Sequence, residues 1–379
     1  METIAAIFWV SVGLLLYAQL GYPAALLLAS RLRAASTAPP PPTQAPSVSL
    51  IVAAHDEQAV IAAKVANALS LAWPRERLEL LVCADGCSDA TAARAREAGA
   101  DIVLELPRVG KVRAQDAGVA ASNGELLAFS DANASWEPDA LARLAAAFAD
   151  PSVGYACGQV RFVQAGAGPS ADNQEGLYWR YEMAIRAMES RLRSVTAGNG
   201  AIYATRRESY LIVDPRMGHD LAFPFKLVKR GWRAVYVADA RATERMVPSI
   251  DGEFARKRRM MGHAWPIILR GGMLGPRGYG PLYAWMIASH RLLRYGAGAL
   301  HVIALACNLV LLGHGAIYLA CLLAQLLLLT GALLAGALRL RPLLIARYYV
   351  LMQASIALGL WDYLRHGTAA GWEAAEGTR

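Results

Sequence analysis

Charge and organised cysteine are both scarce in this chain of 379 residues. Only 18% of its residues are Asp, Glu, Lys or Arg, against roughly 25% in ordinary soluble domains. The five cysteines (Cys83, Cys87, Cys157, Cys307, Cys321) form no CxxC pair and no zinc-type spacing. That pattern speaks against a disulfide scaffold or a zinc module, and reduced thiols in a cytoplasmic setting are expected. The basic residues do not interleave with aromatics along a stripe, so no nucleic-acid partner is expected despite a net charge of +8. The positive balance suits an anionic membrane face or phosphate-bearing substrates instead. Apolar residues are in excess, at 55% of the chain. They gather in long uncharged runs at the two ends, and the charges crowd into the middle.

No charged residue occurs from Thr3 to Ser30, and Arg31 and Arg33 follow at once. The run is long enough to cross a hydrocarbon core of about 30 Å, even with Pro23 inside it. A cleaved leader would open on basic residues and be shorter; here Glu2 stands at the start, so an uncleaved span is expected. A second uncharged run, Tyr295 to Leu338, is twice the length of one span, and Gly313-His314-Gly315 breaks it near the middle. A fourth span is expected near Leu343 to Leu364, with Arg347 and Asp362 near its ends obliged to snorkel or to face protein. Arg31 and Arg33 end the first span, and Arg339, Arg341 and Arg347 separate the third from the fourth. This placement predicts a cytoplasmic central domain with one span before it and three after.

The linker before that domain holds Pro39-Pro40-Pro41-Pro42 and has little helix potential. Ser47 to Ala54 then reads as a buried parallel strand, with helix-like sequence from Gln58 to Leu69. Further strands are expected at Leu78 to Ala84, near Ile102 to Leu104, and at Glu125 to Phe129. Strands alternating with helical stretches predict a doubly wound α/β sheet, whose ligands bind beyond the carboxyl ends of the strands. Polar turns stand at those ends: His55-Asp56-Glu57, Asp85-Gly86-Cys87-Ser88-Asp89 and Asp131-Ala132-Asn133. Any one of them is an ordinary cap or turn. Three acidic turns on one sheet edge point to an active site.

The order of these motifs resembles the membrane-bound family 2 glycosyltransferases, whose catalytic domain has the GT-A fold. Ile51-Val52-Ala53-Ala54-His55-Asp56-Glu57 resembles their opening motif, Asp85-Gly86-Cys87-Ser88-Asp89 their Asp-Gly-Ser-x-Asp turn, and Arg108-Val109-Gly110-Lys111 their Gly-Lys segment. Ser130-Asp131-Ala132-Asn133 takes the place of the Asp-x-Asp motif. Gly198-Asn199-Gly200 resembles the acceptor-side loop, and His219-Asp220-Leu221 the Glu-Asp pair. Phe254 to Gly262 is similar to the final Arg/Gln-x-x-Arg-Trp segment. Three positions depart from the pattern: Asn133 for the second Asp, His219 for Glu, and Met for the closing Trp. The resemblance covers Ser47 to Trp265.

It implies a layout of a membrane helix (1–33), a linker (34–46), a GT-A domain (47–250), amphipathic interfacial helices (251–294), about three membrane helices (295–365) and a tail (366–379). It also implies an inverting transferase that moves a sugar from a nucleotide-diphospho-sugar, expected to be UDP-linked, to a lipid-linked or polysaccharide acceptor. Asp56 or Glu57 would accept from ribose hydroxyls and Asp85 from the base edge. Lys111, behind Gly110, would meet the diphosphate. Asp131 and Asn133 would hold Mg²⁺ or Mn²⁺. Asp220 would be the general base, with His219 favouring its ionised form; it is also a candidate N-cap of the helix Leu221 to Arg230, and both roles can hold. Arg256 and either Arg258 or Arg259 would close over the diphosphate, or merely touch anionic lipid. Cys83 is expected in the core. Glu244 falls where many relatives have an acid, with a surface role equally open. The rival expectation is a non-catalytic, transferase-like membrane subunit that binds nucleotide or polysaccharide and supports a partner enzyme.

Overall fold

The computed structural model describes residues 1–32, 44–163, 174–245, 250–338 and 340–368. Arg33, Arg339, the proline run 39–42 and the tail beyond 368 lie outside the described residues. The first apolar run is one rod: α1 (Glu2–Leu16), a π-helical turn at Tyr17–Gly21, and α2 (Tyr22–Leu32). Pro23 accounts for the irregular turn. It lacks the N–H that would bond the carbonyl of Gln19, and its ring crowds that carbonyl. The Tyr181 hydroxyl donates to the same Gln19 carbonyl at 2.8 Å, so the freed acceptor is satisfied.

Eight strands form the central sheet: β1 (Val48–Ala54), β2 (Leu78–Asp85), β3 (Ile102–Leu106), β4 (Leu126–Asp131), β5 (Ser135–Trp136), β6 (Val153–Val163), β7 (Ile202–Arg206) and β8 (Arg233–Arg245). Their order is β3-β2-β1-β4-β7-β6-β8-β5. The first four neighbours pair in parallel as expected. The other half is mixed, because β7 runs antiparallel to both β4 and β6, whereas β6 and β8 are parallel. The α/β sheet is thus mixed, with its parallel half where the sequence places it and one reversed strand in the other half. A strand's own hydrophobic pattern does not encode its direction; the route of the connections does.

β1 shows why this segment sits at the centre, since all seven of its residues are buried. Leu50, Val52 and Ala54 pack on one face of the sheet, and Ile51 and Ala53 on the other, with Cys83, Phe129 and Tyr203. The alternation is the strand period of two, covered on both faces by helices. These are α3 (Ile61–Leu69), α4 (Thr91–Glu97), α5 (Lys111–Ala120), α6 (Ala140–Ala146), α7 (Gln174–Leu192) and α8 (His219–Lys229). Strand order turns back at β1, which lies between β2 and β4, and such a point opens a crevice at the strands' carboxyl ends.

Beyond the sheet come α9 (Ile250–Leu269), α10 (Pro281–Met286), a π-helical stretch Ile287–Leu293 and α11 (Arg294–Leu311). After a 3₁₀ turn at Leu312–His314 follow α12 (Ala316–Leu338) and α13 (Arg341–His366). Gly315, at φ +146°, makes the break between α11 and α12. Four helical rods are long and apolar enough to cross a membrane: Glu2–Leu32, Pro281–His314, Ala316–Leu338 and Arg341–His366. The second begins well before Tyr295, so the stretch 281–294, expected among the interfacial helices, continues into the rod. Leu327, Leu333 and Val302 are exposed on the outer faces of these rods. Asp362 of α13 meets Arg258 of α9, so it faces protein rather than standing alone.

Candidate active site

At the carboxyl end of β1, Asp56 sits at φ +50°, a strained conformation for a residue with a Cβ. Its carboxylate accepts from the Ser88 backbone N–H at 2.7 Å and from the Ser88 hydroxyl at 3.3 Å. His55 Nδ1 lies 2.6 Å from the Asp85 carbonyl. Glu57 is buried, and its N–H donates to Thr91 Oγ1 at 2.8 Å. His55, Asp56 and Cys87 bring their ligand atoms within 4.8 Å of one another, but the Cys87 thiol already donates to the Ala54 carbonyl and burial raises its pKa.

Asp85 is only 1% exposed, and its carboxylate accepts from the backbone N–H groups of Val109 (2.6 Å) and Gly110 (3.0 Å). Here it orders the turn that launches α5 instead of presenting an open acceptor. Gly110, at φ +90°, completes that turn and aims Lys111 at β4. Gly86 is obligatory in the facing loop: at φ +59°, a Cβ there would come within 2.8 Å of the Arg108 backbone.

Next to this edge is a cavity of about 880 Å³. Lys111, Asp131, Glu244, Asp220 and the Gly198–Gly200 loop line it. Lys111 forms an ion pair with Asp131. Burial alone would lower the Lys111 pKa, but Asp131 outweighs it and the group is raised. Glu244 is pushed up to about 7, first by burial and then by Asp131 nearby. Two acids are thus crowded against each other, a combination that a divalent cation would relieve. Asn133, expected as the second metal ligand, is not among the lining residues. Glu244, reached by β8 from far along the sequence, supplies the second acid.

The loop at Gly198 fits under α8. Its N–H donates to the Asp220 carbonyl at 2.6 Å, and a Cβ on Gly198 would lie 1.8 Å from the Tyr155 hydroxyl. A Cβ on Gly200 would lie 3.9 Å from both Asp220 Cβ and Lys111 Nζ, which places the base candidate and the cation across one glycine. Asn199 Oδ1 accepts from the Ala201 N–H at 3.3 Å.

The cap role expected of Asp220 is corrected. α8 starts at His219 with Gly218 at the cap position, so Asp220 stands inside the first turn. Its carboxylate accepts no hydrogen bond from any described residue and faces the cavity. His219 also differs from expectation. Its ring lies in the aromatic core, stacked on Phe223 at 4.1 Å between centroids, with Nδ1 2.8 Å from the Tyr203 hydroxyl. Burial, and then Lys111, pull its pKa down to about 3. A neutral imidazole exerts no charge to hold Asp220 ionised.

On α9, Arg256, Lys257, Arg259, Met260 and His263 line the cavity, the faces that positions three and four apart share. Arg258 is drawn out of the site, because its guanidinium forks onto Asp362 at 2.6 and 2.7 Å. Of the two arginines left open by the sequence, Arg259 lines the cavity and Arg258 does not. The cavity continues past Asp220 to Gln19, Arg186, Arg294 and Tyr349, none of which carries a local motif.

The model of glycosyltransferase-like family 2 matches residues 45–262, more than half of the chain. The chain belongs to that family. It is 30% identical over 129 residues to the probable glycosyltransferase YdaM of Bacillus subtilis (strain 168), covering 32% of this chain and 31% of the relative. It is 25% identical over 240 residues to an N-acetylglucosaminyltransferase of Rhizobium sp. (strain N33), covering 56% of this chain and 51% of that protein. The chain thus spans about a third and about half of these curated relatives. Its fold is similar to that of the mannosyltransferase PcManGT from Pyrobaculum calidifontis, solved with GDP-Man and Mn²⁺. That likeness has a TM-score of 0.74 at 23% identity and covers 96% of this chain and 99% of the other. The GT-A fold expected from the family is therefore the fold of this member.

Proposed function

We propose that this family member is an inverting transferase that moves a sugar from a nucleotide-diphospho-sugar to a hydroxyl acceptor at the cytoplasmic membrane face. One observation carries the reading: the open carboxylate of Asp220 faces the same cavity as Lys111, Asp131 and Glu244. Asp220 takes the proton of the acceptor hydroxyl. As the acceptor oxygen bonds to the anomeric carbon, the bond from that carbon to the diphosphate oxygen breaks. The nucleoside diphosphate leaves with the electron pair. A single displacement of this kind inverts the anomeric configuration.

Asp131 and Glu244 are the residues that would hold Mg²⁺ or Mn²⁺, and the Lys111 ammonium on Asp131 stands in for positive charge there. The cation would neutralise charge on the departing diphosphate. Lys111 supplies a further positive charge, Arg256 and Arg259 close the cavity from α9, and the Gly198–Gly200 loop sets the floor beside the base. Asp56, Glu57 and Asp85 frame the neighbouring edge for the nucleoside. Relatives named for N-acetylglucosamine and mannose transfer, one of them solved with a GDP-sugar, leave both UDP and GDP donors in play. Three departures favoured a non-catalytic subunit, and each has a local account: Glu244 offsets Asn133, His219 serves the core, and Met260 lines the cavity beside Arg259.

Asp220→Asn is the direct test, with transfer from radiolabelled UDP- and GDP-sugars measured in membranes carrying the protein. Transfer should fall by at least about 100-fold, while Mn²⁺-dependent nucleotide binding, followed calorimetrically, stays close to wild type. Retained turnover in the Asn variant would remove Asp220 from the role of base.

A further inference from the structure

Arg186 of α7 lines the cavity, yet it is only 7% exposed and has no carboxylate partner among the described residues. Its contacts are the Met183 sulfur at 3.9 Å and the face of Tyr236, 5.9 Å from the ring centroid. A guanidinium stays charged at any physiological pH, so burying one without an anion is costly. Helical spacing offers two natural partners, Glu182 one turn before and Glu189 one turn after. Both are claimed by the membrane-side helices. Glu182 pairs with Arg294, and Glu189 lies 2.7 Å from His290 and accepts from the Tyr22 hydroxyl at 2.6 Å. The fold thus holds a buried cation against the cavity and withdraws its neighbouring acids.

We propose that Arg186 pairs with the phosphate of a lipid acceptor that bears this phosphate beside the hydroxyl receiving the sugar. The inference rests on the transferase reading above and specifies its acceptor. Three observations favour a lipid over the donor diphosphate. Lys111 already stands at the donor end. The cavity runs beyond Asp220 to Gln19, Tyr295 and Tyr349, which belong to helices apolar enough to cross a membrane. α7, which carries Arg186, also packs against α2 and α13 of those helices. The hydroxyl is needed because Asp220 has a proton to take. The phosphate is needed because Arg186 has a charge to meet.

The full chain in detergent is titrated with dioctanoyl phosphatidylglycerol, which carries free hydroxyls beside its phosphate, with dioctanoylglycerol and with inorganic phosphate, as wild type, Arg186→Gln and Arg186→Lys. Wild type should bind the phosphatidylglycerol at least about tenfold more tightly than either other probe, as a charge-assisted hydrogen bond predicts. Arg186→Gln should erase that preference and Arg186→Lys restore part of it, with Mn²⁺-dependent UDP and GDP binding unchanged throughout. Equal binding of the two lipids by wild type overturns the proposal without any variant. Inorganic phosphate binding as tightly as the phosphatidylglycerol overturns the lipid assignment. A parallel loss of nucleotide affinity in Arg186→Gln reassigns the guanidinium to the donor. Failure of the transferase reading itself is seen separately, as absence of Mn²⁺-dependent nucleotide binding in the wild type.

Discussion

At the residue scale, the acids of this site differ because their surroundings do. Asp85 is saturated by two backbone donors, Asp131 by Lys111, and Asp220 by none among the described residues. Glu244 is the one raised to about 7, so it is largely protonated below that pH and ionised above it. A cation needs the ionised form. Affinity for Mn²⁺ should therefore climb as pH rises through about 7 and level off above it, in titrations between about pH 6 and pH 8. In Glu244→Gln the slope should vanish and the affinity drop by about tenfold, the scale of losing a ligand charge. A variant that keeps the wild-type slope would remove Glu244 from the cation. In the metal-free protein the same shift has the opposite sense. The folded state keeps a proton that the unfolded chain loses near pH 4.5, so this group's contribution to stability declines as pH rises towards 7.

At the element scale, α9 sorts four consecutive basic residues by direction alone. Successive side chains turn by about 100°, so a helix placing Arg256 and Arg259 on one face turns Arg258 away. Its pair with Asp362 is half exposed, at 41% and 35%, so solvent screening leaves it little weight. Arg258→Gln should accordingly leave transfer within about threefold of wild type, and Arg259→Gln should reduce it by at least about tenfold if its charge meets the donor diphosphate. Initial rates for the two variants under the same donor screen decide this; the reverse ranking would place the cavity face of α9 elsewhere. The run of four bases was plain in the sequence. Which of them faces the substrate was not, since a one-residue change of register reverses the answer.

At the scale of the whole molecule, the first rod is tied to the catalytic body by buried polar contacts as well as packing. Tyr22 and Leu26 join the apolar cluster formed by α8, α9 and α13, and the Tyr22 hydroxyl donates to fully buried Glu189. Tyr22→Phe leaves that carboxylate one donor short, a loss of about 1–3 kcal/mol. Thermal unfolding in detergent should show a lower Tm for this variant, with donor binding intact at low temperature. An unchanged Tm would mean that the rod is held by packing alone.

The sequence by itself determined the features set by local period and composition. These are the four apolar stretches, the buried strand Val48–Ala54, and the acidic turns at Asp56, Asp85 and Asp131 in their family order. Each is written in adjacent residues, where burial and turn chemistry act over a few positions. Only the tertiary structure decided which acids share a cavity, because Asp131 and Glu244 meet through strands that are neither sequential nor adjacent in the sheet. It also decided that β7 runs backwards, that His219 belongs to the core, and that Arg186 is left without its neighbouring acids. Such pairings depend on where the chain returns in space, and no window of sequence contains both partners.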